Sequence, residues 1–271
     1  MVDVLSPFDS FSFEHKGAER TVYTLGSGPG VVIMHEVPGI TPQVVEFAQS
    51  VADDGFTVFV PHLFGSPGRP LSTGYVLGQL LRCCISREFH VLAERRSSPI
   101  TDWLRALCRH AHLLCGGPGV GAIGMCMTGN FALALMVDPS VMAPVLSQPS
   151  LPFPLTRRKR AAFHLSDEDL SMVRERSASG CKVLGLRFTG DRMVPKERFE
   201  SLRRELGDGF ESIEIDSSPG NPHGLAATAH SVVTTDLVDQ RGHPTRSALD
   251  RVLTLFHEQL DTARRDEVSL D

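Results

Sequence analysis

Gly124-Met125-Cys126-Met127-Thr128-Gly129 lies between an apolar run, Val120-Gly121-Ala122-Ile123, and a helix-forming run, Phe131-Ala132-Leu133-Ala134-Leu135-Met136-Val137. A strand that turns sharply into a helix around a glycine-flanked nucleophile is the context of the G-x-S-x-G elbow. Cysteine holds the central place here, and the second glycine falls one position later than that pattern asks. The physical logic still applies. A nucleophile in such a turn sits in strained backbone, so its neighbours must be small. Its side chain emerges at the carboxyl end of a strand, where open α/β sheets bind ligands. The helix that follows favours a thiolate and aims backbone N–H groups at a developing oxyanion. A small buried cysteine in a tight turn would leave the same trace.

Outward from the elbow, short apolar runs alternate with helical ones. Strands are expected at 31–34, 56–60, 120–124, 141–147, 181–188 and 210–215. Most are apolar throughout, as in strands covered on both faces of a parallel sheet. Helices are expected over Thr41–Asp54, Pro99–Cys115, Asn130–Val137, Pro195–Leu206 and Pro244–Leu260. Thr41-Pro42 opens the first, and Gly55 stops it. This alternation predicts an α/β layer architecture, a mostly parallel sheet with helices on both faces and right-handed crossovers. One domain over 1–271 is expected, with a frayed tail at 263–271. Two stretches break the rhythm. Pro61–Pro70 reads as a long loop. Residues 149–180 read as an insert of a loop and one or two helices, placed to act as a lid; Ser166 begins a capping box there. Within that insert the basic run Arg157–Arg160 reads as a solvated face.

The 271 residues carry a net charge of −5, with 41% apolar and 22% charged residues. These values exclude a disordered chain and a broadly basic nucleic-acid binder. No apolar run approaches the roughly 18 residues that a spanning helix needs, so no membrane partner is expected. Asp3 and Asp9 occupy the start of the chain, where a signal peptide would be basic. The six cysteines offer no CxxC pair, and Cys83 and Cys84 are adjacent. Free thiols in a reducing cytoplasm are expected, with no metal and no organic cofactor.

A cysteine nucleophile needs a base and an acid that orients it. Thr189-Gly190-Asp191 follows the expected strand 181–188 and precedes Pro195. An acid just past a strand end is where this architecture keeps its triad acid, and the order nucleophile, acid, histidine fits. Two histidines compete for the base, His223 in Asn221-Pro222-His223-Gly224 and His230 in Ala229-His230-Ser231. His35 and His62 stand at strand ends and read as hydrogen-bonded loop histidines; His243 reads as a helix-start residue. Glu36, at the end of a buried strand beside the cleft, can act as a proton store.

Four places together resemble the dienelactone hydrolase family: the strand–loop of 31–65 with His35-Glu36-Val37-Pro38-Gly39, the cysteine elbow, Gly190-Asp191-x-x-Val194-Pro195, and His230-Ser231-Val232. The resemblance spans about residues 30–260 and implies an α/β-hydrolase fold. It implies Cys126 as nucleophile, Asp191 as the acid orienting the histidine, and Glu36 holding the resting thiol uncharged. It implies an oxyanion hole from the backbone N–H groups of Met127 and Val37. The His-Ser-apolar pattern and the spacing to the last helix favour His230, leaving His223 as a loop or substrate-contact residue. The family binds its substrate's carboxylate with arginines, one shortly after the histidine; Val233, Thr234 and Thr235 stand there. Arg82 and Arg87 are the substitutes on offer. The expectation is a hydrolase of a lactone or small carboxylic ester acting through a Cys126–His230–Asp191 triad and a thioester. An esterase or thioesterase for another acyl group, or a non-catalytic scaffold binding a small ligand, are the competing readings. Oligomeric state is left open.

Overall fold

The computed structural model describes residues 4–85, 99–163 and 165–261, and the side chains of 80–85 lie outside that description. The chain forms β1 (Asp9–His15), β2 (Ala18–Leu25), β3 (Gly30–Met34), α1 (Pro42–Asp53), β4 (Thr57–Pro61), α2 (Thr73–Ile85), α3 (Pro99–Cys115), β5 (Val120–Met125), α4 (Gly129–Leu135) and β6 (Val141–Ser147). It continues with α5 (Arg157–Ala161), α6 (Asp167–Ala178), β7 (Val183–Phe188), α7 (Lys196–Leu206), β8 (Phe210–Ile215) and α8 (Pro244–Leu260). The strands make one eight-stranded sheet in the order β1-β2-β4-β3-β5-β6-β7-β8. β1 and β2 pair antiparallel, β2 pairs antiparallel with β4, and the rest is parallel.

The six expected strands form, with ends shifted by a residue or two. β3, β5 and β7 are buried along their whole length, because both faces of the sheet are covered. Alternation divides each strand between two cores. Val32, Met34 and Ala122 meet Trp103, Leu104, Phe131 and Phe199 on one face. Val31, Ile33, Ile123 and Val145 meet Val44, Phe47, Val252 and Phe256 on the other. α1 starts as its sequence predicts: the Thr41 hydroxyl accepts from the Val44 N–H, and Pro42 fills a position that needs no donor.

The hairpin β1–β2 and helix α2 are additions to the expected elements. Chain order runs outward from β3 to β4 and returns across β3 to β5. That reversal is a topological switch point, and it opens a crevice between the carboxyl ends of β3 and β5.

In the inserted stretch, α5 and α6 form as expected, and Ser166 caps α6 by accepting from the Asp169 N–H at 3.0 Å. Both helices belong to the body of the fold. Arg176 of α6 donates to the backbone carbonyls of Met136, Asp138 and Pro139, and Arg160 of α5 forks onto Glu197 at 3.0 and 3.1 Å. Arg157, Arg158 and Lys159 are exposed, the solvated face expected. The tail expected at 263–271 lies outside the described residues, as does Arg87. Arg82 lies in α2, with its side chain outside the description. Among the described residues no helix is long and apolar enough to cross a membrane.

Candidate active site

The elbow forms directly after β5. Cys126 has φ +54, a left-handed conformation that non-glycine residues seldom adopt. A Cβ on Gly124 would fall 2.1 Å from the Thr128 carbonyl oxygen, so the turn closes only over glycine there. The displaced second glycine has its own reason. A Cβ on Gly129 would lie 2.5 Å from Pro149 Cα, so a bare backbone lets the loop after β6 pack against the elbow. Thr128 fills the intervening place. Its hydroxyl donates to Met34 O at 2.8 Å and accepts from the Met125 N–H at 2.9 Å, joining the elbow to β3. Cys126 and Met127 form a small buried apolar cluster, against which Val37, Phe64 and Leu151 pack.

His230 and Asp191 meet beside it. The His230 Nδ1 lies 2.6 Å from Asp191 Oδ2, and the other Asp191 oxygen accepts from the Met193 N–H at 2.8 Å. Both partners are largely buried. The His230 Nε2 is buried and has no other partner among the described residues. Burial pushes this imidazole down, but its interactions with Cys126 and Asp191 together outweigh burial and hold it well above the ordinary histidine value. Asp236 fixes the main chain of the histidine loop, accepting from the N–H groups of His230 at 2.8 Å and Ser231 at 2.9 Å.

His223 lies elsewhere. It is exposed on a turn held by Asn221, with its ring 5.3 Å from that of His243. His243 caps α8, as expected. His35 is wholly buried: Leu63 N–H donates to its Nε2 at 3.1 Å, and its Nδ1 meets Glu36 O at 3.1 Å. Burial lowers its pKa to about 3, so it is a neutral strut. His62 Nε2 meets Gly65 O at 3.0 Å.

Glu36 is buried at the end of β3, but its carboxylate faces the histidine loop. It accepts from the Ser231 hydroxyl at 2.7 Å, from the Thr234 hydroxyl, and from the Gln148 amide at 3.2 Å. Among the described residues no hydrogen bond joins it to Cys126, so the thiol-holding role implied by the resemblance has no contact behind it here. Thr234, in the stretch where an arginine was sought, donates to that carboxylate instead. Gln148, at φ +35, completes the network by accepting from the Ser147 hydroxyl and from the Val232 N–H at 3.3 Å.

Ser150, Gln148, Asp236 and Arg198 are the site residues that sequence reasoning missed. Ser150, Gln148 and Arg198 reach partners tens of residues away, which no spacing rule announces, and Asp236 folds back over five and six residues onto the N–H groups of Ser231 and His230. Arg198 on α7 is buried, and its guanidinium donates to four carbonyls, those of Pro149, Pro152, Lys159 and Ala162. Burial pushes its pKa down to about 10, which leaves it charged at neutral pH. Among the described residues no group of three or more His, Cys, Asp or Glu side chains could hold a metal ion.

A switch-point crevice, a positive-φ elbow at Cys126 and an acid–histidine pair on later loops fit an α/β-hydrolase fold. The chain belongs to the dienelactone hydrolase family, whose model matches residues 20–260, and it is accordingly a hydrolase. No curated protein matches it in sequence. Among solved structures it is similar to a protein from Klebsiella pneumoniae assigned as a dienelactone hydrolase, with TM-score 0.61, 16% identity, and coverage of 93% of this chain and 98% of that one. It is also similar to a promiscuous, dienelactone hydrolase-like phosphotriesterase from metagenomic libraries, with TM-score 0.57, 16% identity, and coverage of 94% and 98%. Est1E from Butyrivibrio proteoclasticus aligns with TM-score 0.52, 12% identity, and coverage of 92% and 98%. At these identities the likeness is one of fold.

Proposed function

We propose that the protein hydrolyses a lactone or small carboxylic ester through a Cys126–His230–Asp191 triad. The observation that carries the reading is the 2.6 Å pair of His230 and Asp191 beside the strained Cys126. The thiolate attacks the carbonyl carbon. The backbone N–H groups of Met127 and Val37 receive the oxyanion. The His230 imidazolium, held by Asp191, gives its proton to the departing alkoxide and leaves a thioester on Cys126. The neutral imidazole then takes a proton from water, the resulting hydroxide attacks the thioester, and the thiolate departs. Glu36 acts in this scheme as a positioning residue, holding the histidine loop through Ser231 and Thr234.

Among the described residues Cys108, Cys115, Cys126 and Cys181 form no disulfide, which fits the reducing setting proposed for the chain. A panel of lactones, esters and thioesters tests the reading on wild-type protein and on Cys126→Ala. Hydrolysis abolished in a folded variant is the expected result. Full activity in that variant overturns it, and the best substrate in the panel names the acyl class.

A further inference from the structure

One hydroxyl touches the Cys126 sulfur and has no place in the triad. Ser150 is fully buried, and its Oγ lies 3.3 Å from Cys126 Sγ. Among the described residues that sulfur is the one hydrogen-bond partner of the hydroxyl. A buried O–H without an acceptor is costly, so the Ser150 proton is directed at the sulfur. The Ser150 N–H also donates to Cys126 O at 3.0 Å, so backbone and side chain meet the same residue.

The surroundings fix this contact from several sides. Arg198 holds the carbonyls of Pro149 and Pro152, which flank Ser150. Asn130, just past the elbow, donates to the Leu151 carbonyl. Gly129 gives Pro149 the room to approach. His230, with Asp191 behind it, also interacts with Cys126, and the apolar Val37, Phe64, Met127 and Leu151 pack around the residue. The nearby Glu36 carboxylate is taken up by Ser231, Thr234 and Gln148.

We propose that Ser150 is a catalytic residue of this site, whose hydroxyl donates a hydrogen bond to the Cys126 sulfur and favours its charged, nucleophilic form. The inference rests on the reading of Cys126 as the nucleophile. No proton leaves Ser150 during the reaction. The hydrogen bond is strongest to the free thiolate and weakens as the carbon–sulfur bond forms and charge passes to the carbonyl oxygen. Ser150 thus raises the fraction of thiolate at neutral pH while making each thiolate slightly less nucleophilic.

The experiment is the pH dependence of iodoacetamide alkylation at Cys126, read by peptide mass spectrometry so that the other cysteines do not interfere. Ser150→Ala should move the alkylation midpoint up by about one pH unit, the scale of a hydrogen bond to a charged group. Ser150→Gly should do the same, and it serves if the alanine variant fails to fold. Ser150→Thr, which keeps a hydroxyl, should return the midpoint toward wild type. A midpoint unchanged in the folded alanine and glycine variants overturns the role of Ser150 and leaves the triad standing. An alkylated protein that still hydrolyses esters instead overturns Cys126 as the nucleophile, while the midpoint continues to report whether Ser150 bonds the sulfur.

Discussion

Asp191 and Glu36 are both buried carboxylates, and each stands just past the carboxyl end of a parallel strand. Their partners differ in kind. Asp191 meets an imidazole at 2.6 Å, a group that changes charge within the physiological range. Glu36 meets two hydroxyls and an amide, none of which titrates. An acid of the first kind sets the charge of its partner and is read in a pH profile. An acid of the second kind sets position and is read in stability. Both acids reach the same histidine loop, Asp191 through His230 and Glu36 through Ser231 and Thr234.

The largest effect should come from the partner of Asp191. His230→Ala should lower kcat by about 10⁴-fold, the upper end for a lost acid–base group. Near-normal kcat in that variant, with collapse in His223→Ala, would move the base to the exposed turn and break the comparison at once. Asp191→Asn should lower kcat by about 10²-fold and also change the pH dependence of stability. The folded-state pKa of His230 is raised. Its contribution to stability is therefore complete below the ordinary histidine value and is lost as pH rises through the raised one. Without the Asp191 charge, that alkaline loss should begin at a lower pH, as denaturant unfolding across the range would record.

Glu36 should answer differently. Glu36→Ala leaves the buried hydroxyls of Ser231 and Thr234 without their acceptor, at about 1–3 kcal/mol of stability. Glu36→Gln, which keeps one carbonyl oxygen, should lose less. Neither should move the alkylation midpoint of Cys126. A shift in Glu36→Gln would show that the carboxylate acts on the sulfur after all and would erase the distinction between the two acids. The smallest effect belongs to His223→Ala. Stability should change by no more than about 0.5 kcal/mol, with kcat unaltered. A raised KM would make His223 a substrate contact.

The same distinction separates what was legible in the sequence from what was not. Cys126 and Asp191 stand where a strand ends, and strands such as 120–124 and 141–147 are apolar enough to be read directly. The hairpin Asp9–His15 and Ala18–Leu25 escaped, because it lies at the sheet edge, half-exposed, with polar residues alternating with Phe11, Phe13 and Val22. Its alternation was the available signal, together with Lys16-Gly17, both at positive φ in the turn. The His-Ser-apolar pattern already favoured His230 over His223, while its contact with Asp191, 39 residues away, is tertiary. The thiol-holding role of Glu36 came from a resemblance, whereas its partners come from Gln148, Ser231 and Thr234. Those residues lie 112 to 198 positions away in the chain, beyond any local pattern.

Arg198 carries a consequence for how substrates are admitted. A guanidinium that grips four carbonyls across 149–162 gives that loop its shape before any ligand arrives. An unpinned loop would surrender about 1–2 kcal/mol of backbone entropy for each residue ordered on binding; this one surrenders little. Calorimetry should accordingly record only a small ordering penalty from this side of the site. Under the proposed reaction, a loop of fixed shape would sort acyl groups by fit, in the manner of a gauge that a molecule passes or does not.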